Sequence, residues 1–248
     1  MDEETNKTDV SEAVAGKSKL RPIGSLFADA WRIFTEGWVK FLLMFLISIG
    51  VFIGLALCAI ALFLIPFFLL KGIIGITVGV VLVLIPLVAL AVVVNLATIK
   101  IAYSVCEKDN GGIADALKYG FKHFGKFLWV SFVAGLLILL GYIFLIIPGI
   151  IIGIILSLVT PIFILEEKYN LSALKRSREL VKGYFWPVLG RFLLLGLISV
   201  AVSSIQYVTP DFVLIQLLQT VILMIVNFIL AFYGIIYSYL IYKDLSAK

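Results

Sequence analysis

The sequence predicts an all-α fold: a polytopic membrane bundle of six transmembrane helices, built as three repeats of an amphipathic interfacial helix followed by a transmembrane hairpin. Three observations carry that prediction. Of 248 residues, 62% are apolar and only 14% charged, where soluble domains have roughly 45–50% and about 25%; mean hydropathy is +1.16. The apolar residues gather in six runs, each near the roughly 20 residues that cross a bilayer as helix. And 19 of the 20 Lys and Arg residues fall on one side of the threading those runs imply. Such a chain cannot cover its apolar surface with polar groups in water. That excludes a soluble enzyme, a disordered protein and a disulfide scaffold, and leaves no room for an appended catalytic barrel of roughly 250 residues.

Taken in order, residues 1–20 hold Asp2, Glu3, Glu4, Asp9 and Glu12 with Lys7, Lys17 and Lys19, and read as a disordered cytoplasmic tail. The membrane domain follows over 21–243, and 244–248 is a second short tail. An amphipathic stretch comes first: Ile23, Leu26, Phe27, Ala30, Trp31, Phe34 and Trp38 share one helical face, away from Asp29, Arg32 and Glu36. Spans then run over 39–65 and 73–99, joined by a link at 66–72 that holds Pro66. Pro86 falls inside the second span, where a kink is expected.

The charged link 100–126 contains the second amphipathic stretch, with Ile113, Ala116, Leu117, Gly120, Phe121 and Phe124 on one face. Spans at 127–147 and 149–165 follow, turning at Pro148-Gly149, with Pro161 near the end of the fourth. The link 166–186 carries a third, thinner face of Leu171, Leu174, Val181 and Phe185. The last spans are 187–206 and 212–242, joined by 207–211.

The three lead-ins align. Ala30-Trp31-Arg32, Ala116-Leu117-Lys118 and Ala173-Leu174-Lys175 correspond, and Lys40-Phe41-Leu42, Lys126-Phe127-Leu128 and Gly183-Tyr184-Phe185 follow each alanine at ten residues. Since each unit crosses twice, all three share one orientation. The amphipathic helices either lie in the headgroup layer or pack on the ends of the bundle.

Charge orients the threading. Every Lys and Arg except Lys71 lies in the N-terminal segment, the 100–126 and 166–186 links, the start of the fifth span or the C-terminus. The positive-inside rule then sets both termini in the cytoplasm of a plasma or inner membrane protein. Trp31, Trp38, Trp129 and Trp186 fall at the same boundary, where an indole sits half wet.

Candidate functional residues are few. Arg32, Lys40, Lys118, Lys122, Lys126, Lys175, Arg176, Arg178 and Lys182 lie on the amphipathic stretches and can meet lipid phosphates. The partners implied are membrane lipids, anionic ones among them, or a membrane protein; no basic stripe outside the membrane flanks points to nucleic acid. In the sixth span, Gln216, Gln219, Thr220, Asn227 and Ser238 fall close to one stripe, fit either for a pore lining or for interhelical hydrogen bonds. Asn95 and Thr98 could meet it from the second span. Arg191 is expected to snorkel to the interface. Gly50/Gly54, Gly75/Gly79 and Gly149/Gly153 are candidate close-packing pairs.

Catalytic and metal chemistry find no anchor. His123 is the only histidine and reads as an interfacial side chain, Cys58 and Cys106 have no metal-ligand spacing, and Gly16-Lys17-Ser18 lacks the first glycine of a phosphate loop. Glu166-Glu167 reads as a solvated helix end. No catalytic residue, cofactor or metal is expected, so the chain reads as a non-enzymatic module, with a small-solute transporter or channel as the alternative.

The stretch Pro161-Ile162-Phe163-Ile164-Leu165-Glu166-Glu167-Lys168, Ala173-Leu174-Lys175-Arg176-Ser177 and Val181-Lys182-Gly183-Tyr184-Phe185-Trp186 resembles the glycerophosphoryl diester phosphodiesterase membrane-domain family and related uncharacterised six-span bacterial membrane proteins. There, a proline near the end of a span leads to an acidic turn, an Ala-Leu-x-x-Ser helix, a Lys-Gly and a Trp at the next span. The resemblance implies a six-span membrane module over about 23–242. It implies no phosphodiesterase activity, because the soluble catalytic domain that some members carry is absent.

Overall fold

The computed structural model describes residues 21–70, 72–109, 111–205 and 212–247. The tail expected over 1–20, the link at 207–211, Lys71 and Lys248 lie outside the described residues. Among the described residues the chain is helical: α1 Ile23–Leu70, α2 Gly72–Cys106, α3 Ile113–Phe144, α4 Ile146–Ile155, α5 Val159–Leu165, α6 Leu171–Val181, α7 Phe185–Ser204 and α8 Val213–Ser246. Among the described residues six stretches are long and apolar enough to cross a membrane: Ile23–Ile60, Ile74–Cys106, Ile113–Phe144, Ile146–Leu165, Phe185–Ser204 and Ile215–Ser246. The protein is an all-α, six-helix integral membrane bundle.

Prolines set the breaks in the second half. Pro148, Pro161 and Pro187 are each the third residue of their helix, α4, α5 and α7. A proline lacks the N–H that the first turn leaves unpaired anyway, but its ring clashes with the carbonyl four residues earlier. Those carbonyls belong to Phe144, Ser157 and Gly183, and a helix ends at or just before each. The turn expected at Pro148-Gly149 therefore falls at Leu145, whose backbone is extended (φ −167°, ψ 147°). The fourth span is interrupted at 156–158, ahead of Pro161. α2 continues unbroken through Pro86, and α1 runs on to Leu70 where a link at 66–72 was expected.

The same rule separates the lead-ins. The first two amphipathic stretches are the opening turns of α1 and α3, not helices of their own. Gly37 and Gly125 are the only breakers between each stretch and its span, and one helical glycine costs only about 1 kcal/mol. The third stretch does stand alone as α6, ended by Gly183 at φ +89°. At 48 residues, α1 is about 72 Å long, well beyond a hydrocarbon layer of roughly 30 Å.

The chain divides into two compact units, 1–32 with 134–248, and 33–133. In the second, α1 buries Phe34, Phe41 and Met44 at helical spacing, and Phe34 and Phe41 stack with centroids 5.7 Å apart. A Cβ on Gly37 would stand 2.6 Å from Val105 Cγ1, and one on Gly120 2.7 Å from the Val93 carbonyl. Those glycines let α1 and α3 approach α2. The face of α3 is rotated from the expected one: Ala116, Gly120, His123 and Val130 are buried, and Phe121 and Phe124 are exposed. His123 is accordingly a buried side chain rather than an interfacial one, its Nδ1 3.0 Å from the Tyr119 carbonyl.

In the first unit the buried residues concentrate at one end. α6 packs against α4, α5 and α8, α7 against α4 and α8, and α5 against α8. α8 buries Phe232, Tyr233, Ile236, Tyr237, Tyr239, Leu240, Ile241 and Leu245, whereas over 215–227 it buries only Leu223. Gly141 and Gly149 touch where α3 meets α4: a Cβ on Gly149 would stand 2.6 Å from Tyr142 Cγ. Of the glycines paired in the sequence, Gly75 and Gly79 are buried, whereas Gly50, Gly54 and Gly153 face open space.

Candidate functional site

The best-formed site lies on α6. Its sequence puts Ala173, Leu174, Ser177, Leu180 and Val181 on one stripe, and all five are buried against neighbouring helices. Leu171, expected on that face, is 56% exposed. The stripe is seated by a polar bolt: the Ser177 hydroxyl donates to the Ile155 carbonyl at 2.6 Å, tying α6 to the end of α4. A tight turn brings α6 back from α5, with Glu167 (φ 49°) and Asn170 (φ 59°) in the left-handed region that costs non-glycine residues about 1 kcal/mol or more.

Glu166 clamps that turn. Its carboxylate lies 2.7 Å from Lys168 Nζ and 3.2 Å from Arg176 Nε, and accepts a 3.0 Å hydrogen bond from the Tyr242 hydroxyl of α8. Burial pushes the carboxyl's pKa up, but the hydrogen bonds from Lys168, Arg176 and Tyr242 outweigh it and hold the group below the usual range. The sequence reading of Glu166 as a solvated helix end is corrected: its side chain is only 16% exposed. Two residues beyond Tyr242 on α8, Asp244 binds Arg21 at 2.6 Å, and Arg21 also reaches Asp29 at 3.1 Å.

Between α4, α6 and the start of α7 lies a groove of about 370 Å³, lined by Ile151, Ile155, Arg178, Val181, Lys182, Gly183 and Phe185. Its floor is aliphatic and aromatic, and its charges are both positive. Gly183 ends α6 and Pro187 fixes the start of α7, so the two cations and the apolar wall are held by adjoining helix ends.

The nine basic residues named from sequence are thus not equivalent. Arg178 and Lys182 line the groove, are exposed, and have no ion-pair partner among the described residues. Arg176 is turned to Glu166 and, at 3.7 Å, to Glu179; Lys175 is exposed outside the groove; Arg32 pairs with Asp29 at 3.3 Å. Lys40, Lys118, Lys122 and Lys126 belong to the other compact unit, where Lys118, Lys122 and Lys126 are exposed.

Sequence reasoning missed the groove's walls at Ile151 and Ile155, which read simply as span, and the clamp at Glu166 and Tyr242. Of the α6 stripe, Leu174 and Val181 were legible in the residue spacing, whereas Ala173, Ser177 and Leu180 were not.

Arg191 does not snorkel. It is 6% exposed, donating Nη2 to the Arg21 carbonyl at 2.7 Å and Nη1 to the Pro187 carbonyl at 3.1 Å. Pro187 opens α7 beside the groove, so this arginine pins the start of α1 to the same corner. The sixth-span residues stay largely at the surface. Gln216, Thr220 and Asn227 are exposed, Gln219 and Ser238 half-buried. Gln219 Nε2 donates to the Ile205 carbonyl at 2.7 Å, joining α8 to the end of α7; Ser238 bonds the Ile235 carbonyl of its own helix. In the second span, Thr98 donates to its own helix at Val94 and Asn95 is exposed. Among the described residues no three His, Cys, Asp or Glu side chains gather as metal ligands would.

No protein-family model, no curated protein and no solved structure matches this chain.

Proposed function

We propose that the chain is a non-enzymatic membrane module with both termini in the cytoplasm of a plasma or inner membrane, and that it engages anionic lipid through the α4–α6–α7 groove. The observation that carries this reading is the pairing of two cations without an ion-pair partner among the described residues, Arg178 and Lys182, with an apolar wall of Ile151, Ile155, Val181 and Phe185. A lipid phosphate needs the first and an acyl chain the second. Most of the chain's basic residues would lie on that same face, next to anionic headgroups. Trp186, 76% exposed at the start of α7, is suited to the adjoining headgroup layer. The resemblance of 161–186 to a membrane-domain family without a catalytic part of its own supports the same reading.

The magnitude is modest and testable. A Lys or Arg near an anionic surface contributes about 1 kcal/mol, so removing both should weaken binding by about 2 kcal/mol, roughly thirtyfold. Arg178→Gln with Lys182→Gln, reconstituted in nanodiscs, should lose the thermal stabilisation by phosphatidylglycerol over phosphatidylcholine. Lys118→Gln with Lys122→Gln should keep it. Equal stabilisation of the groove variant and the unaltered chain would remove the groove as the lipid site.

A further inference from the structure

The polar lining of the α4–α6–α7 groove restricts which phosphate it can hold. Arg178 and Lys182 supply that lining, and no carboxylate, hydroxyl or amide side chain joins them. The two lie four residues apart on α6, about 6 Å along a helix axis. The Lys182 N–H still donates to the Arg178 carbonyl at 3.0 Å, so the helical geometry carries both side chains to one wall. The acids on either side, Glu166 and Glu179, are both directed to Arg176. α4 and α7 contribute Ile151, Ile155 and Phe185 to the lining and no charge.

A phosphate between these cations is read by its oxygens. A guanidinium fork takes two of them side by side, and an ammonium takes a third as a point charge. A phosphodiester headgroup has two terminal oxygens and one negative charge. A phosphomonoester has three, and with a second pKa of about 6 it carries roughly −1.5 to −2 at pH 7. The monoester alone matches the pair both in charge and in acceptor number. The amine of an ethanolamine headgroup would instead meet two cations with no acidic side chain in the lining. At about 370 Å³ the groove is also small among ligand pockets of roughly 300–1,000 Å³, which suits a bare phosphate and the first part of an acyl chain.

We infer that the groove selects a lipid whose phosphate is a monoester, with Arg178 on two of its terminal oxygens, Lys182 on the third, and the chain along Ile151, Ile155 and Phe185. This rests on the groove being an anionic-lipid site and adds which phosphate it selects.

The test uses the full chain in phosphatidylcholine nanodiscs titrated with phosphatidic acid, a monoester, or phosphatidylglycerol, a diester. Near neutral pH phosphatidic acid should bind roughly fivefold more tightly, the weight of one further charge contact. That ratio should fall toward one near pH 5, below the second phosphate ionisation. Phosphatidylglycerol has no ionisation in that window and controls for titration of the protein itself. Lys182→Gln should bring phosphatidic acid down to phosphatidylglycerol, whereas Lys118→Gln with Lys122→Gln should leave the ratio intact. Equal binding of the two anionic lipids, both ahead of phosphatidylcholine, overturns the monoester and leaves the groove an anionic-lipid site. No preference for either over phosphatidylcholine overturns both readings. An unchanged ratio in Lys182→Gln overturns the proposal, and so does equal stabilisation by millimolar inorganic phosphate in plain phosphatidylcholine discs, which assigns the site to free phosphate.

Discussion

Glu166 concentrates several links of the fold in one carboxylate. It closes the turn before α6, fixes Arg176 away from the groove, and reaches α8 through Tyr242. Because its pKa is depressed in the fold, its contribution is complete above the ordinary carboxylate value of about 4.3. It is lost as pH falls through the lower folded value. Glu166→Gln should cost about 1–2 kcal/mol at neutral pH, a range kept low because Arg176 and Lys168 are partly solvated. Melting curves of the detergent-solubilised chain should show the unaltered protein losing stability between pH 5 and pH 3 by more than the variant does. Equal pH slopes would separate Glu166 from acid stability. This role was not legible in the residues, since a Glu-Glu pair after a span has the same local pattern whether it faces water or a returning helix. His123 is the parallel case: its place among apolar neighbours suited an interface as well as the interior it occupies.

Helices were far more legible than their joints. Runs of apolar residues near 20 long can hardly be anything else, and six such helices are present among the described residues. The joints are displaced because proline acts backward: a residue that looks like the turn belongs to the first turn of the next helix, and the break is three or four residues earlier. Glycine spacing was a weaker guide still, because it does not say which glycines face a neighbour. Gly149 and Gly153 separate the two cases on one helix. Gly149→Ala would drive a Cβ to 2.6 Å from Tyr142 Cγ and 2.9 Å from its backbone nitrogen, so a destabilisation of about 1–3 kcal/mol is expected. Gly153→Ala meets nothing within 4 Å and should gain about 0.4–1 kcal/mol from a stiffer unfolded chain. Parallel melting of the two variants checks both signs; similar losses would mean that α3 and α4 do not meet through Gly149.

At the scale of the whole molecule the governing feature is charge placement, and it was readable because it needs no three-dimensional detail. The four tryptophans sit beside the same basic segments, and Trp31, Trp38, Trp129 and Trp186 are all more than half exposed, as rings in a headgroup layer would be. What the sequence could not give is the inward half of the pattern. The basic residues near α6 divide into the Glu166 clamp and the open groove only once the helix is folded back on α4 and α5. Orientation itself rests on the positive-inside rule, and the chain's two cysteines test it. Cys106 ends α2, half-exposed, beside Lys108 and ahead of Lys118, Lys122 and Lys126 of α3. Cys58 lies inside the candidate span Ile23–Ile60, where hydrocarbon keeps a charged reagent away from it. A membrane-impermeant maleimide should therefore leave intact cells unlabelled, label inverted vesicles, and lose that signal in Cys106→Ser but not in Cys58→Ser. Labelling of Cys106 from outside intact cells would turn the molecule over, and with it would go the groove's access to cytoplasmic anionic lipid. A 19-to-1 asymmetry predicts that no single charge change will do so; reversal should need several lysines removed from the 100–126 and 166–186 links together.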